Sequence, residues 1–289
     1  MAGIVPISKS PYDYGFIFDD CLIPVGKQIT AVELAIAECL MAGCETIWLV
    51  CHRSMQPLIK KCIGESYCDP TSVGASDYYP ARKLRQIQIY YVPIHPKDQK
   101  KRDCLSYSVL YGALSAFLIS IKMSKWLIPD KYYVSFPWGV YDYEILRKVR
   151  NKISHPQNFS ITHGGKSVRD GLLTSFTFDA EDYKVARDNF KRLSRDNYLE
   201  RDEHSKIKFD FSVDKIFNSV KMGHNVNVEE FYEINTWEKY SNFMSSGLKL
   251  ERSDAFFKGR WNKIGEDNAS DEDEYFGECV QQDSISGEE

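Results

Sequence analysis

Residues 22–50 read LIPVGKQITAVELAIAECLMAGCETIWLV, which is the most informative stretch of the sequence. Apolar residues recur at helical spacing from Ile29 to Met41, so the pattern predicts a helix there, with Gly43 as its C-terminal cap. The apolar run at residues 46–51 (TIWLVC) then predicts a buried strand. A helix that leads into an apolar strand is typical of βαβ units, in which the strands lie parallel.

The same alternation continues on both sides of this stretch. Further buried strands are predicted at residues 3–7, 88–94 and 132–136. Helices are predicted at residues 54–63, 105–122 and 141–153. The order of these segments indicates an α/β protein with a mainly parallel sheet.

The pattern changes after residue 153. Residues 157–178 predict two antiparallel strands joined by a turn at Gly164 and Gly165. Helices are predicted at residues 180–195 and 209–222, then a short strand at residues 231–235 and a helix that Thr236 caps. We therefore predict an α/β core at residues 1–178, a C-terminal extension packed on it at residues 179–264, and a disordered acidic tail at residues 265–289.

Composition excludes several classes of protein. Of the 289 residues, 43% are hydrophobic and 13% aromatic, which indicates a packed globular domain. Residues 266–289 contain ten acidic residues and no lysine or arginine, so a chain of formal net charge −4 leaves +6 on residues 1–265. That mild basicity suits a ligand that carries phosphate, but no dense basic stripe indicates duplex nucleic acid.

The chain carries no sequence signal for a membrane or for secretion. The longest apolar run, residues 109–121, is interrupted by polar residues and glycine and predicts a buried helix, and the N-terminus has no signal-peptide pattern. Eight scattered cysteines include no CxxC pair and are expected to be free buried thiols. We therefore expect a cytoplasmic protein.

Several segments together resemble one enzyme superfamily. After residues 22–50 come SYSVLYGALSA (106–116), YYVSFPWGVYDY (132–143), GKSVRDGLLTSF (165–176) and YEINTWEKY (232–240). Their order, across roughly residues 3–245, resembles the sugar-phosphate nucleotidyltransferases, also called nucleotide-diphospho-sugar transferases. The resemblance implies a Rossmann-like three-layer sandwich with a mainly parallel mixed sheet.

The resemblance also implies an activity. A sugar phosphate would attack the α-phosphate of a nucleoside triphosphate, pyrophosphate would leave, and Mg²⁺ and basic groups would neutralise charge. The expected ligands are a nucleoside triphosphate with a sugar phosphate, or a nucleotide-sugar. Duplex nucleic acid and membranes are not expected as partners.

Two segments depart from the family pattern where its chemistry lies. The loop at residues 8–20 (SKSPYDYGFIFDD) has one glycine and one cation, Lys9, and it places Asp19 or Asp20 where the family carries a lysine. Pro137 and Trp138 replace the family's Gly-Asp pair at the metal-binding strand. The alternative is therefore a catalytically inactive binding or structural module that keeps the fold, with a protein partner in a larger assembly.

The candidate site residues follow from strand ends and from the resemblance. Lys9 and Arg102 are the candidate catalytic cations. Candidate ligand-binding residues, which bind phosphate through ammonium or hydroxyl groups or lie after a predicted strand, are Ser8, Ser10, Lys27, His52, Arg53 and Asp103. Asp142 is the candidate Mg²⁺ ligand because it is the nearest carboxylate to the altered Gly-Asp position.

Each candidate also has an ordinary structural explanation. Lys9 and Lys27 are equally compatible with solvated loop lysines, and Ser8 and Ser10 with a polar turn. His52 and Arg53 can terminate a strand, and Asp103 can cap the following helix. Asp142 can favour the dipole of a helix that begins beside it.

Overall fold

The computed structural model of the protein describes residues 1–69, 85–199, 209–248 and 250. The chain divides into two compact units, Met1–Ser66 with Ile87–Arg252 and Tyr67–Gln86 with Ser253–Glu289. In the second unit the described residues are 67–69, 85 and 86, and the Asp69 N–H donates to the Arg85 carbonyl (2.8 Å). The predicted acidic tail at residues 265–289 lies outside the described residues.

Strands and helices alternate along the described chain. The strands are β1 (Ala2–Pro6), β2 (Pro24–Gly26), β3 (Ile29–Thr30), β4 (Thr46–His52), β5 (Ser66–Cys68), β6 (Gln86–Ile94), β7 (Lys131–Val134), β8 (Gly139–Val140), β9 (Asn158–Thr162), β10 (Phe176–Asp179), β11 (Met222–Asn227) and β12 (Tyr232–Glu233). The α-helices are α1 (Ala31–Ala42), α2 (Gln56–Ile63), α3 (Pro96–Lys101), α4 (Leu105–Met123), α5 (Ile145–Lys148), α6 (Arg150–Ile153), α7 (Ala180–Leu199), α8 (Val213–Phe217) and α9 (Trp237–Met244). Short 3-10 helices lie at Asp20–Leu22, Lys125–Leu127 and Val168–Asp170.

Seven strands of the first unit form its main sheet, in the order β11-β9-β10-β7-β1-β4-β6. All neighbouring pairs are parallel except the two made by β10, which runs antiparallel to β7 and β9. The register pairs Ala2 with Thr46 and Pro6 with Val50. The mainly parallel mixed sheet predicted from the sequence is confirmed, and the parallel strands end at one common edge.

Helices cover both faces of this sheet. On one face, α4, α7 and α8 pack on alternate strand residues such as Ile4 and Trp48 in a continuous apolar core. Gly112 of α4 allows the close approach, since a Cβ there would lie 2.8 Å from side chains of Ile4 and Val50. Helix α1 covers the other face with α5 and α6 beside it, which gives the predicted three layers.

The caps of α1 match their sequence signals. Thr30 and Glu33 form a capping box at its start, and Gly43 ends it in the left-handed conformation (φ 89°). Arg150 then donates to the carbonyls of Leu40 and Met41, each at 2.7 Å. These contacts satisfy carbonyls that the end of the helix leaves without partners.

Two predicted helices were wrong in extent. Residues 141–153 form the two short helices α5 and α6, because Val149 leaves helical geometry between them (φ −110°, ψ 13°). Residues 209–222 hold only the five-residue α8, and Met222 begins β11 instead. The polar segment of β11 (MGHNVN) becomes a strand because it pairs with β9, a long-range contact that local periodicity does not report.

Candidate functional site

The loop that follows β1 is held by hydrogen bonds within the protein. The hydroxyl groups of Ser8 and Ser108 lie 2.5 Å apart, and the Ser10 hydroxyl donates to the Tyr12 carbonyl. The Lys9 ammonium contacts a carboxylate oxygen of Asp210 at 2.5 Å. The strand thus delivers three predicted site residues to the carboxyl edge of the sheet.

A cavity of about 290 Å³ lies beside this loop, and we call it the acidic cavity. Its charged lining residues among those described are Asp13, Asp19, Asp20 and His52. Burial raises the pKa values of Asp19 and Asp20, although His52 partly opposes the rise at Asp19. The acidic cavity therefore carries a local negative charge that grows as pH rises.

The His52 ring joins two of the predicted binding residues. His52 ends β4, and its Nε2 atom lies 2.9 Å from a carboxylate oxygen of Asp103. Asp103 directly precedes Cys104, the N-cap residue of α4, and the Asp103 side chain does not serve as that cap. Arg53, the residue after His52, is exposed. It lines neither the acidic cavity nor the two further cavities described below.

Lys9 also lines a second cavity of about 310 Å³, which we call the Lys9 cavity. Its walls combine apolar side chains such as Phe211 and Leu173 with polar side chains. The polar lining residues from the later part of the chain are Asp210, Ser212, Asp214, Glu233 and Asn235. Sequence reasoning missed these five residues because nothing near them in sequence indicates a ligand.

Glu233 is the most connected of these missed residues. One of its carboxylate oxygens accepts from the Leu173 N–H (3.1 Å), and the other accepts from the Asn235 amide (2.7 Å) and the Lys239 ammonium (3.4 Å). The amide oxygen of Asn235 is buried and has no partner among the described residues. These contacts fix two polar side chains in the wall of the Lys9 cavity.

A third space of about 700 Å³ lies between Lys9, α3 and Phe209, and we call it the basic groove. Its lysines are Lys9, Lys100 and Lys101, and its two carboxylates, Asp103 and Asp210, already face His52 and Lys9. The groove therefore offers Lys100 and Lys101 of α3, whose ammonium groups have no ion-pair partner among the described residues, together with an aromatic ring. This combination suits phosphate and a stacked base.

Arg102 lies beside the basic groove and is not one of its described lining residues. Its guanidinium is 3.8 Å from Asp98 and 5.7 Å from the centre of the Tyr107 ring. The structure thus engages Arg102 with its own helix and the start of the next one.

Two solved structures share this architecture. One is described as a glucose-1-phosphate thymidylyltransferase from Bacillus anthracis in complex with sucrose, with 7% identity and a TM-score of 0.53, covering 86% of this chain and 97% of that chain. The other is a UDP-glucose pyrophosphorylase complexed with UDP-glucose, with 10% identity and a TM-score of 0.51, covering 84% of this chain and 97% of that chain. The chain has the nucleotide-diphospho-sugar transferase fold.

No protein-family model and no curated protein sequence matches the chain. The nucleotide-diphospho-sugar transferase fold therefore rests on the order and direction of the strands rather than on shared residues. At such low identity it shows the architecture and leaves the chemistry of the site to be argued from the side chains.

Lys27 and Asp142, like Arg53, line none of the three cavities. Lys27 is in the turn between β2 and β3, where its backbone N–H donates to the Leu250 carbonyl (3.1 Å). Asp142 is exposed, and one of its carboxylate oxygens accepts from the Glu144 N–H (3.0 Å). Asp142 thus stabilises the turn before α5.

A Mg²⁺ site does not form from protein groups alone in the described part of the chain. No cluster of three or more His, Cys, Asp or Glu residues there has the arrangement to hold a metal ion. Mg²⁺ commonly takes one or two carboxylates and completes its shell with water and substrate phosphates. The Mg²⁺ at Asp142 therefore stays a prediction, and no step below depends on it.

Proposed function

We propose that the chain binds a nucleotide-sugar at the carboxyl edge of its sheet, around Lys9. The observation that carries this proposal is that Lys9 lines both the Lys9 cavity and the basic groove. One ligand can therefore extend from the Lys9 cavity into the basic groove and contact the Lys9 ammonium group between them. A nucleotide-sugar has two chemically different ends joined by phosphates, which is the shape that such an arrangement fits.

The Lys9 cavity suits the sugar end. Carboxylates such as Asp214 and Glu233 and the amide of Asn235 accept or donate hydrogen bonds to hydroxyl groups. Apolar walls such as Leu173 and Phe211 cover the carbon face of a sugar ring. One of the solved structures with this fold contains UDP-glucose, which agrees with this class of ligand.

The basic groove suits the phosphates and the base. Lys100 and Lys101 add two positive charges next to Lys9, and Phe209 offers a ring on which a base can stack. Asp210 holds Lys9 in an exposed ion pair, with 36% and 63% of the two side chains exposed. Exposed pairs contribute little stability, so a phosphate can replace Asp210 at small cost.

Nucleotidyl transfer from a nucleoside triphosphate to a sugar phosphate is the second candidate function. The two structural neighbours are named for enzymes of this kind, and Lys9 lies on the loop after β1. In this reaction a sugar-phosphate oxygen would bond to the α-phosphorus, and the bond to the β-phosphate would break and release pyrophosphate. Lys9 would neutralise charge on the phosphates, with Arg102 beside the groove.

Binding without transfer is the form that we favour. The acidic cavity puts Asp13, Asp19 and Asp20 beside the loop after β1, where the family resemblance places a triphosphate. Three carboxylates repel the charge that develops on phosphate oxygens. A nucleotide-sugar carries fewer charges than a triphosphate and can place them in the basic groove.

A thermal-shift panel tests the binding proposal. UDP-glucose, dTDP-glucose, their nucleoside triphosphates and glucose 1-phosphate are compared with and without Mg²⁺. A ligand at about 100 times its dissociation constant adds about 2.7 kcal/mol of stability, so a nucleotide-sugar should raise the melting temperature by several degrees. The absence of any shift at millimolar ligand would overturn the proposal.

Three variants locate the binding site. Lys9→Ala should weaken nucleotide-sugar binding by about 10-fold or more, because it removes a charge-assisted hydrogen bond. Asp210→Asn should strengthen binding several-fold, because it frees Lys9. Asp188→Asn breaks a comparable exposed pair with Lys191 (3.4 Å) on α7 and should leave binding unchanged. A pyrophosphate-release assay with the same panel then separates transfer from binding.

A further inference from the structure

The C-terminal half of α4 carries an exposed apolar surface that the proposed function does not use. Six large apolar side chains lie there or on the 3-10 helix that follows. They are Phe117 (36% exposed), Leu118 (45%), Ile119 (39%), Ile121 (45%), Met123 (61%) and Leu127 (54%). We call these six residues the apolar patch.

The two halves of α4 differ in what they contact. The first half packs on β1 and β4, and its residues Val109, Gly112 and Ala113 are buried against the sheet. Beyond Ala116, only Ser120 is buried among the residues that complete the helix. The helix therefore extends past the surface that it covers and exposes its apolar side chains to solvent.

The apolar patch is as large as the largest apolar patches found on typical monomers. From the exposed fractions, its apolar area is roughly 500 Å², within the roughly 300–600 Å² of the largest patch on a typical monomer, which is often functional. A stable interface needs about 800 Å² from each partner. The patch thus supplies the apolar centre of such an interface, with neighbouring polar surface as its rim.

We infer that the apolar patch is where a second copy of this chain packs, with the two α4 helices antiparallel about a two-fold axis near Leu118. Residues three or four apart share one helix face, so Leu114, Leu118 and Ile121 form a ridge that can pack against its own copy. A two-fold axis makes the same surface serve both copies, and closed symmetric dimers are the commonest soluble oligomers.

The charges near the apolar patch agree with this antiparallel arrangement. In residues 105–129 the only charged side chains are Lys122 and Lys125. With Leu118 at the axis, Lys122 of one copy lies beside Leu114 of the other, and the two Lys122 residues are eight helical positions apart. That separation is about 12 Å along the axis, beyond the roughly 8 Å over which exposed charges interact at physiological salt. A parallel pairing would instead place the two lysines together.

Sedimentation velocity of the full chain tests the dimer. The wild type should form a dimer as its concentration rises to about 100 µM. Leu118→Asp should weaken the dimer at least 100-fold, because two unpaired carboxylates would be buried at the axis. Leu58→Asp places the same charge on another exposed apolar side chain, on α2, and should leave the dimer intact. A wild type that stays monomeric at this concentration overturns the inference.

Three other results also overturn it. One is a full chain that is monomeric while a chain ending at residue 250 dimerises, because residues 251–289 would then cover the apolar patch. Another is a monomer that binds phosphatidylcholine vesicles through α4. Among the described helices, α4 alone is long and apolar enough to span a membrane, and 39% of its apolar stretch is buried. The third is a dimer that both aspartate variants weaken equally.

Cysteine cross-linking keeps the inference testable if Leu118→Asp does not fold. Two native thiols are first removed by Cys62→Ser and Cys279→Ser. Cys62 is the exposed cysteine among the described residues, contrary to the prediction of buried thiols, and Cys279 lies outside them. In that background, Leu118→Cys should form a disulfide-linked dimer under mild oxidation, because the two sulfurs face each other at the axis. Ile121→Cys lies on the same helix face as Leu118 but six positions from its copy, about 9 Å along the axis, and should remain largely unlinked. Equal cross-linking of both variants contradicts the proposed axis.

Discussion

The acidic cavity and the basic groove lie on the same edge of one sheet and carry opposite charge. The acidic cavity is lined by Asp13, Asp19 and Asp20 from the loop after β1, whereas the basic groove is lined by Lys100 and Lys101 from α3. The parallel strands bring both regions to the edge where α/β proteins bind ligands, but the side chains decide which chemical group enters each. We therefore propose that phosphate binds beside α3 and not under the loop after β1.

The largest expected effect is on the free energy of unfolding, and it comes from Glu38 of α1, on the side of the acidic cavity. This glutamate is fully buried, and one of its oxygens accepts from Ser135 (2.8 Å), Ser175 (2.5 Å) and Tyr141 (3.1 Å). Burial raises its pKa to about 7, although the three hydrogen bonds oppose the rise. Ser135 and Trp138, which follow β7, connect this network to the wall of the acidic cavity.

Glu38 makes stability depend on pH with a defined sign. Because the folded-state pKa is above the unfolded value of 4.5, the folded protein binds more protons between those values, and stability falls as pH rises from about 4.5 to about 7. The total loss is on the order of 3 kcal/mol. Urea unfolding should show that Glu38→Gln removes this slope, while Glu144→Gln, at an exposed position, keeps it. A variant with the wild-type slope would contradict the role of Glu38.

The basic side is tested by reversing its charge. Lys100→Glu combined with Lys101→Glu should weaken UDP-glucose binding by about 10- to 100-fold, because two charge-assisted contacts are lost and solvent weakens each contact of an exposed lysine. The same double change at Lys60 and Lys61 on α2 keeps the net charge equal and should have little effect. Isothermal titration calorimetry measures both. Equal weakening would mean that overall charge, and not the basic groove, determines affinity.

The smallest effect is expected at Asp19 and Asp20. Asp19→Asn combined with Asp20→Asn should strengthen UDP-glucose binding about 2- to 5-fold at pH 8, because it removes repulsion across a partly solvated distance. Since burial raises both pKa values, the wild-type carboxylates take up protons at a higher pH than exposed carboxylates do, and the gain should shrink as pH falls. Titration at two pH values checks this. An equal gain at both would show that neither carboxylate titrates in this range.

Local signals in the sequence predicted the fold well where they dominate. Thr236 at a helix start and Gly43 at a helix end carry their signals within a few residues, and both predicted caps are present. β11 could not be predicted in this way, because its polar segment is a strand only through pairing with β9.

The candidate site likewise contains residues that local signals predict and residues that only long-range contacts bring in. Ser8, Lys9 and His52 were predicted because they follow strands, and the edge of a parallel sheet collects such residues. Asp210 lies 201 positions from Lys9, its partner, so no spacing in the sequence connects them. Glu233 lies on β12 and Asn235 lies just after it, and both line the Lys9 cavity. Strand β12 pairs with β8 and not with the main sheet.

The position of β11 has a consequence for synthesis of the protein. Strand β9 has β10 on one side and β11 on the other, and β11 lies about 60 residues further along the chain. A ribosome must therefore add Asn227 before the unpaired edge of β9 is covered. Until then the nascent chain exposes a strand edge of the kind that pairs with other chains, and this interval is when binding by a chaperone protects it most.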